Sequence, residues 1–248
     1  MIYKQIDPKF GNFNKFSDNI KKSFEQEANT ITKKRNVIKL INFDNKKIVV
    51  KSFKIPNIVN KFAYRFIRDS KAKRSFYNAQ KLIQLGINTP HPIAFVEFFT
   101  PLLDNSFYIC KYFDHDFEIR DVLKNQTFKN RDKILKQFTE FSYLLHEKGV
   151  YHVDYSPGNI LVKQINENEY LFSIVDVNRM KFIKFNDSLR FKNLAKLSAS
   201  EEDIKFISKI YAAISDMDEL SVTKKLFFYH NKHQKYLQNK KILKTLKF

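Results

Sequence analysis

The segment Tyr151-His152-Val153-Asp154-Tyr155-Ser156-Pro157-Gly158-Asn159-Ile160-Leu161-Val162 is a polar loop set between two apolar elements. Before it, Ile134, Phe138, Phe141 and Leu145 recur at i, i+4, i+7 and i+11, which predicts one helix over about 128–148, terminated by Gly149. After it, Ile160 to Val162 and Tyr170 to Val175 predict a short strand pair, the second strand running into Asp176-Val177-Asn178. Asp154 and Asn159 thus stand five residues apart on one loop, and Asp176 stands at the end of the strand that follows. That spacing lets one loop aim a carboxylate and an amide at one point.

The first half of the chain has a different texture. Behind a polar N-terminal stretch, Val37 to Phe43 and Lys47 to Phe53 predict a hairpin with its turn near Asp44 and Asn45. Two helices follow, from Pro56 to about Arg68 and from Lys71 to Leu85, the second ending at Gly86. Thr89, Pro90 and Pro92 break the chain before two more strands, Ile93 to Phe99 and Phe107 to Tyr112. Strands early and helices late predict an α+β fold of two lobes, a small β-rich one over residues 1–112 and a helical one over residues 113–248, with the site in the cleft between them.

With 248 residues, 43% of them hydrophobic, the chain can bury a sizeable core, which excludes a disordered protein. Its single cysteine, Cys110, cannot form an internal disulfide and reads as a small core residue in an apolar strand. No apolar run is long enough for a membrane span, and MIYKQIDPKF does not read as a signal peptide, so a reducing, cytoplasmic location is expected. Lys and Arg number 45 against 26 Asp and Glu, a net charge of +19 that favours anionic partners. An AT-rich coding bias toward Lys, Asn, Ile and Phe accounts for the surplus equally well. Residues 51–85 contain nine basic residues against the single Asp69, interleaved with Phe62, Tyr64 and Phe66. The stretch from Lys224 to Phe248 carries eight lysines and no acid. Either face suits anionic headgroups, or a solvated surface; neither carries a recognisable nucleic-acid motif, so no specific nucleic acid is expected. His230 and His233 do not make a zinc set with the distant Cys110.

The loop fits H-x-D-x-x-x-x-N, the catalytic-loop pattern of kinases, in which the Asp orients the acceptor hydroxyl and the Asn helps hold a metal. Asp176 then stands where the metal-binding Asp of D-F-G stands. Lys51, closing Ile48-Val49-Val50-Lys51, parallels V-A-I-K and would contact the nucleotide phosphates. A triphosphate donor needs a positioned cation, magnesium with oxygen ligands, and a group at the acceptor hydroxyl. Lys51, Asn159 with Asp176, and Asp154 meet those needs in turn. His152 is expected to brace the loop through backbone near Asp176.

On these strings, and on Gly86-Ile87-Asn88-Thr89-Pro90-His91-Pro92-Ile93-Ala94 and Val175-Asp176-Val177-Asn178-Arg179-Met180, most of the chain resembles the lipopolysaccharide kinase group of the protein-kinase-like superfamily, which includes Kdo kinase. The resemblance implies a two-lobed kinase-like fold. It also implies transfer of the γ-phosphate of ATP, with Mg2+, to a sugar hydroxyl of the lipopolysaccharide inner core. The setting it implies is the cytoplasmic face of the inner membrane of a Gram-negative bacterium, with a glycolipid substrate and peripheral membrane contact. Two departures stand out. No G-x-G-x-x-G exists, so Thr32 to Asn36, with Lys33, Lys34 or Arg35, would have to cover the nucleotide; and Asp69 is the sole acid between Lys51 and Val96, so a helix Glu for Lys51 is missing and an amide such as Asn78 is one replacement. A pseudokinase scaffold at the membrane, or an atypical protein- or RNA-associated kinase, stays open.

Overall fold

The computed structural model describes residues 1–33, 36–55, 57, 61–64 and 68–245, the side chains of Lys33 and Lys244 excepted. Residues 61–64 are helical, but most of the helix expected over Pro56 to Arg68, with Arg65 and Phe66, lies outside the described residues, as do Lys34 and Arg35. The chain divides into two compact units, Met1–Asp114 with Asp176–Arg179, and His115–Val175 with Met180–Phe248.

The first unit is built on a six-stranded antiparallel sheet. Its strands are β1 (Ile2–Ile6), β2 (Thr30–Lys33), β3 (Val37–Phe43), β4 (Lys46–Phe53), β5 (Pro92–Phe99) and β6 (Leu103–Lys111), in the order β1-β5-β6-β4-β3-β2. The β3–β4 hairpin turns where Asp44 and Asn45 both take positive φ, 51° and 56°. Two such residues in succession match the right-handed strand twist, and Asp and Asn tolerate that conformation.

The N-terminal stretch is not merely polar. Besides β1 it forms α1 (Asn14–Asp18) and α2 (Ile20–Gln26), and it buries Phe10, Phe13, Phe16, Ile20 and Phe24 against Ile48, Val50, Ala94, Val96 and Ile109 of the sheet. On β5, Phe95 meets Phe76 of α3 (Lys71–Gln84) edge-on, with ring centroids 5.4 Å apart. β5 is therefore covered on both faces, and its Pro92 to Val96 read as a continuous apolar run. Ser70 caps α3 by accepting from the Lys73 amide, and Gly86 (φ +73°) ends the turn beyond it.

The second unit is mostly helical. It contains β7 (Phe117–Glu118), α4 (Ile119–Lys124), α5 (Arg131–Glu147), β8 (Val150–His152), β9 (Ile160–Gln164), β10 (Tyr170–Ile174), β11 (Met180–Phe182), α6 (Asp187–Leu194), α7 (Glu201–Ser215) and α8 (Glu219–Thr245). The α5 stripe points inward as its spacing requires: Ile134, Phe138 and Leu145 are buried, while the half-buried Phe141 stacks on Phe172. Gly149 follows with φ +70°, and a Cβ there would lie 2.8 Å from the Ile183 carbonyl oxygen, so only glycine lets β8 and β11 pair from this point. Among the described residues no helix is long and apolar enough to cross a membrane.

Candidate active site

In the second unit the loop after β8 is fixed by its own backbone and by His152. The Asp154 amide donates to His152 Nδ1 at 3.0 Å, which makes Nδ1 the acceptor and leaves Nε2–H to donate to the Val175 carbonyl, also at 3.0 Å. The ring is fully buried. It ties the catalytic-loop pattern to the end of β10, the bracing role expected from sequence, and Asp176 is the next residue along the chain.

Asn159 sits at the end of a 3-10 turn, Pro157–Asn159, and donates from Nδ2 to the Asp154 carbonyl at 2.8 Å. Its oxygen, Oδ1, is then the atom it can turn to a metal. The Val175 amide donates to the Asn159 carbonyl at 2.9 Å, so loop and strand end are clamped twice. Tyr155, fully buried, anchors the loop from below, its hydroxyl 2.8 Å from Ser142 Oγ and its ring stacked on Phe138 of α5.

In the first unit Asp176 leaves the strand with φ +58°, a left-handed conformation that a short polar side chain tolerates, and leads into the 3-10 turn Val177–Arg179. Lys51 Nζ donates to Asp176 Oδ1 at 2.8 Å across 125 residues of sequence. The lysine is 11% exposed and the aspartate 29%. Asn178 Nδ2 donates to the same oxygen, so the plane of the carboxylate is set by two donors. Asn78, offered from sequence as a stand-in partner for Lys51, lies on α3 and donates instead to the Val177 carbonyl at 2.7 Å. The absent helix Glu is thus answered by Asp176 itself, and α3 holds the turn that carries it.

Of the four residues singled out by pattern, Lys51 meets Asp176 within one unit and Asn159 meets Asp154 within the other. The Asp176 carboxylate and the Asn159 amide oxygen are each of the ligand type that magnesium, a hard cation, takes. The lysine supplies a point charge for phosphate oxygens. Cys110 is buried, and burial pushes its thiol up to about 12, so it stays protonated at neutral pH and is no nucleophile.

Sequence reading missed the support behind the loop. Asn193, fully buried on α6, donates to the His152 carbonyl at 2.8 Å and presents Oδ1 to His146 Nε2 at 3.3 Å. His146 Nδ1 accepts from the Tyr211 hydroxyl at 2.8 Å, and that hydroxyl accepts from Arg190, which pairs with Glu147 at 2.7 Å. Burial holds His146 down to about 3, against about 6.5 for an exposed imidazole. Between those values the unfolded chain binds one more proton than the folded one, so this group lowers stability as pH falls through the window, by up to about 1.4 kcal/mol per pH unit. The melting temperature should therefore fall more steeply between pH 6 and pH 4 (about the middle of that window) in the wild type than in His146→Gln. Parallel slopes would contradict the buried, neutral imidazole.

The family model described as "Lipopolysaccharide kinase (Kdo/WaaP) family" matches residues 19–217. A solved structure described as "WaaP in complex with acyl carrier protein" superposes with a TM-score of 0.64 at 14% identity, covering 94% of this chain and 98% of that one. A search of curated proteins finds no match. The fold is that of a kinase-like phosphotransferase, a small antiparallel sheet unit joined to a helical one. This chain belongs to the lipopolysaccharide kinase (Kdo/WaaP) family.

Proposed function

We propose that this chain transfers the γ-phosphate of ATP, with Mg2+, to a sugar hydroxyl of the lipopolysaccharide inner core, at the cytoplasmic face of the inner membrane of a Gram-negative bacterium. Residues 1–112 act as the nucleotide-covering lobe and residues 113–248 carry the catalytic loop. The reading rests above all on one observation: Lys51 and Asp176, picked out separately as a V-A-I-K lysine and a D-F-G-type aspartate, are ion-paired at 2.8 Å.

In this reading Asp154 takes the acceptor hydroxyl as its hydrogen-bond partner and receives its proton as the bond to phosphorus forms. Its backbone amide is held by the buried His152 ring, so the loop segment that carries the carboxylate is fixed before substrate arrives. Lys51 has three donors and can keep Asp176 while turning another to the α- and β-phosphates. Asp176 and Asn159 would hold magnesium, which when bound neutralises charge on the transferring phosphoryl group. The likeness to WaaP also makes an acyl carrier protein a candidate partner, one that sequence reading did not raise; co-elution with the purified chain tests it.

The acceptor is tested by incubating the chain with γ-labelled ATP, Mg2+ and lipid A carrying Kdo, beside protein and RNA acceptors. Label should enter the glycolipid and require Mg2+. Label confined to protein or RNA would contradict the acceptor, and no transfer with no nucleotide-induced rise in melting temperature would establish a pseudokinase.

A further inference from the structure

α8 is 27 residues long, about 40 Å at 1.5 Å per residue, and only its first half is packed. Val222 and Leu226 are buried, and Tyr229 donates its hydroxyl to Ser188 Oγ at 3.0 Å. From Asn231 to Thr245 none of the described side chains is buried. Fifteen residues of helix without tertiary cover are marginal in water, so the segment calls for a surface to lie on.

Its outward face says which surface. Phe228, Tyr236, Ile242 and Leu243 are 61%, 57%, 56% and 60% exposed. At 100° per residue they fall with Lys232 and Lys235 in an arc of about 120°, with the buried Val222 and Leu226 about 40° and 80° beyond its edge. Residues 220–248 hold eight lysines and no acid, so a second copy of the helix would be repelled rather than bound. Aliphatic Ile242 and Leu243 offer nothing to stack on a base, whereas large apolar side chains among lysines are what an interfacial helix inserts below anionic headgroups.

We infer that the outward face of α8 docks the protein on an anionic lipid bilayer. This deepens the membrane side of the proposed function, and because vesicle binding is read without phosphate transfer the two can fail separately.

The test is co-sedimentation of the full chain with vesicles of phosphatidylcholine alone or with about 30% phosphatidylglycerol. Binding should require the anionic lipid and weaken as salt rises. Replacing Lys232 and Lys235 by Gln should lower the partition coefficient at least about tenfold, since each lysine near the surface contributes about fivefold. The F228S/I242S/L243S variant should lose a comparable share with the melting temperature of both variants unchanged, because all these side chains are exposed. Equal binding to neutral vesicles, no binding to anionic ones, or wild-type binding by both variants would overturn the assignment. So would capture of RNA or of an acidic protein by the lysine face in the absence of vesicle binding.

Discussion

Asp176→Asn should cut phosphate transfer by at least about a hundredfold to a thousandfold while leaving the fold in place. Asparagine has the shape of aspartate and tolerates the left-handed backbone that Asp176 adopts at φ +58°, so the turn into Val177–Arg179 survives. What disappears is the charge. Lys51 loses the anion on which its ammonium rests at 2.8 Å, and magnesium loses a carboxylate for a neutral oxygen. The loss should appear both in the transfer rate and in the magnesium concentration needed to reach half of it. A variant with wild-type magnesium dependence would remove Asp176 from the metal site.

The largest effect on stability is expected at a pair outside the site. Arg131, at the start of α5, donates to Asp203 of α7 at 2.5 Å, and Asp203 is 1% exposed. Arg131 also donates from Nε to the Val122 carbonyl at 3.2 Å, so the guanidinium ties α4, α5 and α7 together. Asp203→Ala leaves the arginine charge with little exposure and no counter-ion, at a cost of about 3–5 kcal/mol. In a protein of this size that is about 10 °C or more in melting temperature. Replacing both residues together, Arg131→Met with Asp203→Leu, should recover much of the loss, because the penalty belongs to the uncompensated charge rather than to the missing bond. A double variant as unstable as Asp203→Ala would show that the pair contributes net stability through its geometry.

What could be read from sequence follows the range of the interactions involved. The β3–β4 hairpin was legible because its signals are local: alternating apolar residues on either side of Asp44-Asn45, two residues apt for positive φ. The α5 helix and its Gly149 stop were legible for the same reason. β1 was not, because Ile2–Ile6 pairs with Phe98 to Ala94, and IYKQI shows no strong alternation by itself. The N-terminal core residues were missed too, the stretch being read as polar. Phe10, Phe13, Phe16, Ile20 and Phe24 recur every three or four residues, a helical spacing masked by the Lys, Asn and Asp between them.

The site divides in the same way. Asp154, Asn159 and Asp176 stand out because their spacing lies within one loop and one strand pair, and Lys51 because it closes a hydrophobic strand. Asn178 lay inside a string already noted, but its bond to Asp176 depends on the turn geometry. Asn193 and Tyr211 gave no signal, and nothing in the sequence gave His146 a role of its own. They come from three different helices, and only packing makes them a chain of hydrogen bonds under His152.

The most direct test of the proposed chemistry is transfer of labelled phosphate from ATP to a Kdo-containing acceptor by the wild type and by Asp154→Asn, with nucleotide binding followed in parallel by the rise in melting temperature. Removal of the group at the acceptor hydroxyl should lower transfer by about 10²–10⁴ and leave the nucleotide-induced rise unchanged, since Asp154 is assigned to the acceptor and not to ATP. Transfer retained at the wild-type rate in Asp154→Asn would contradict the account.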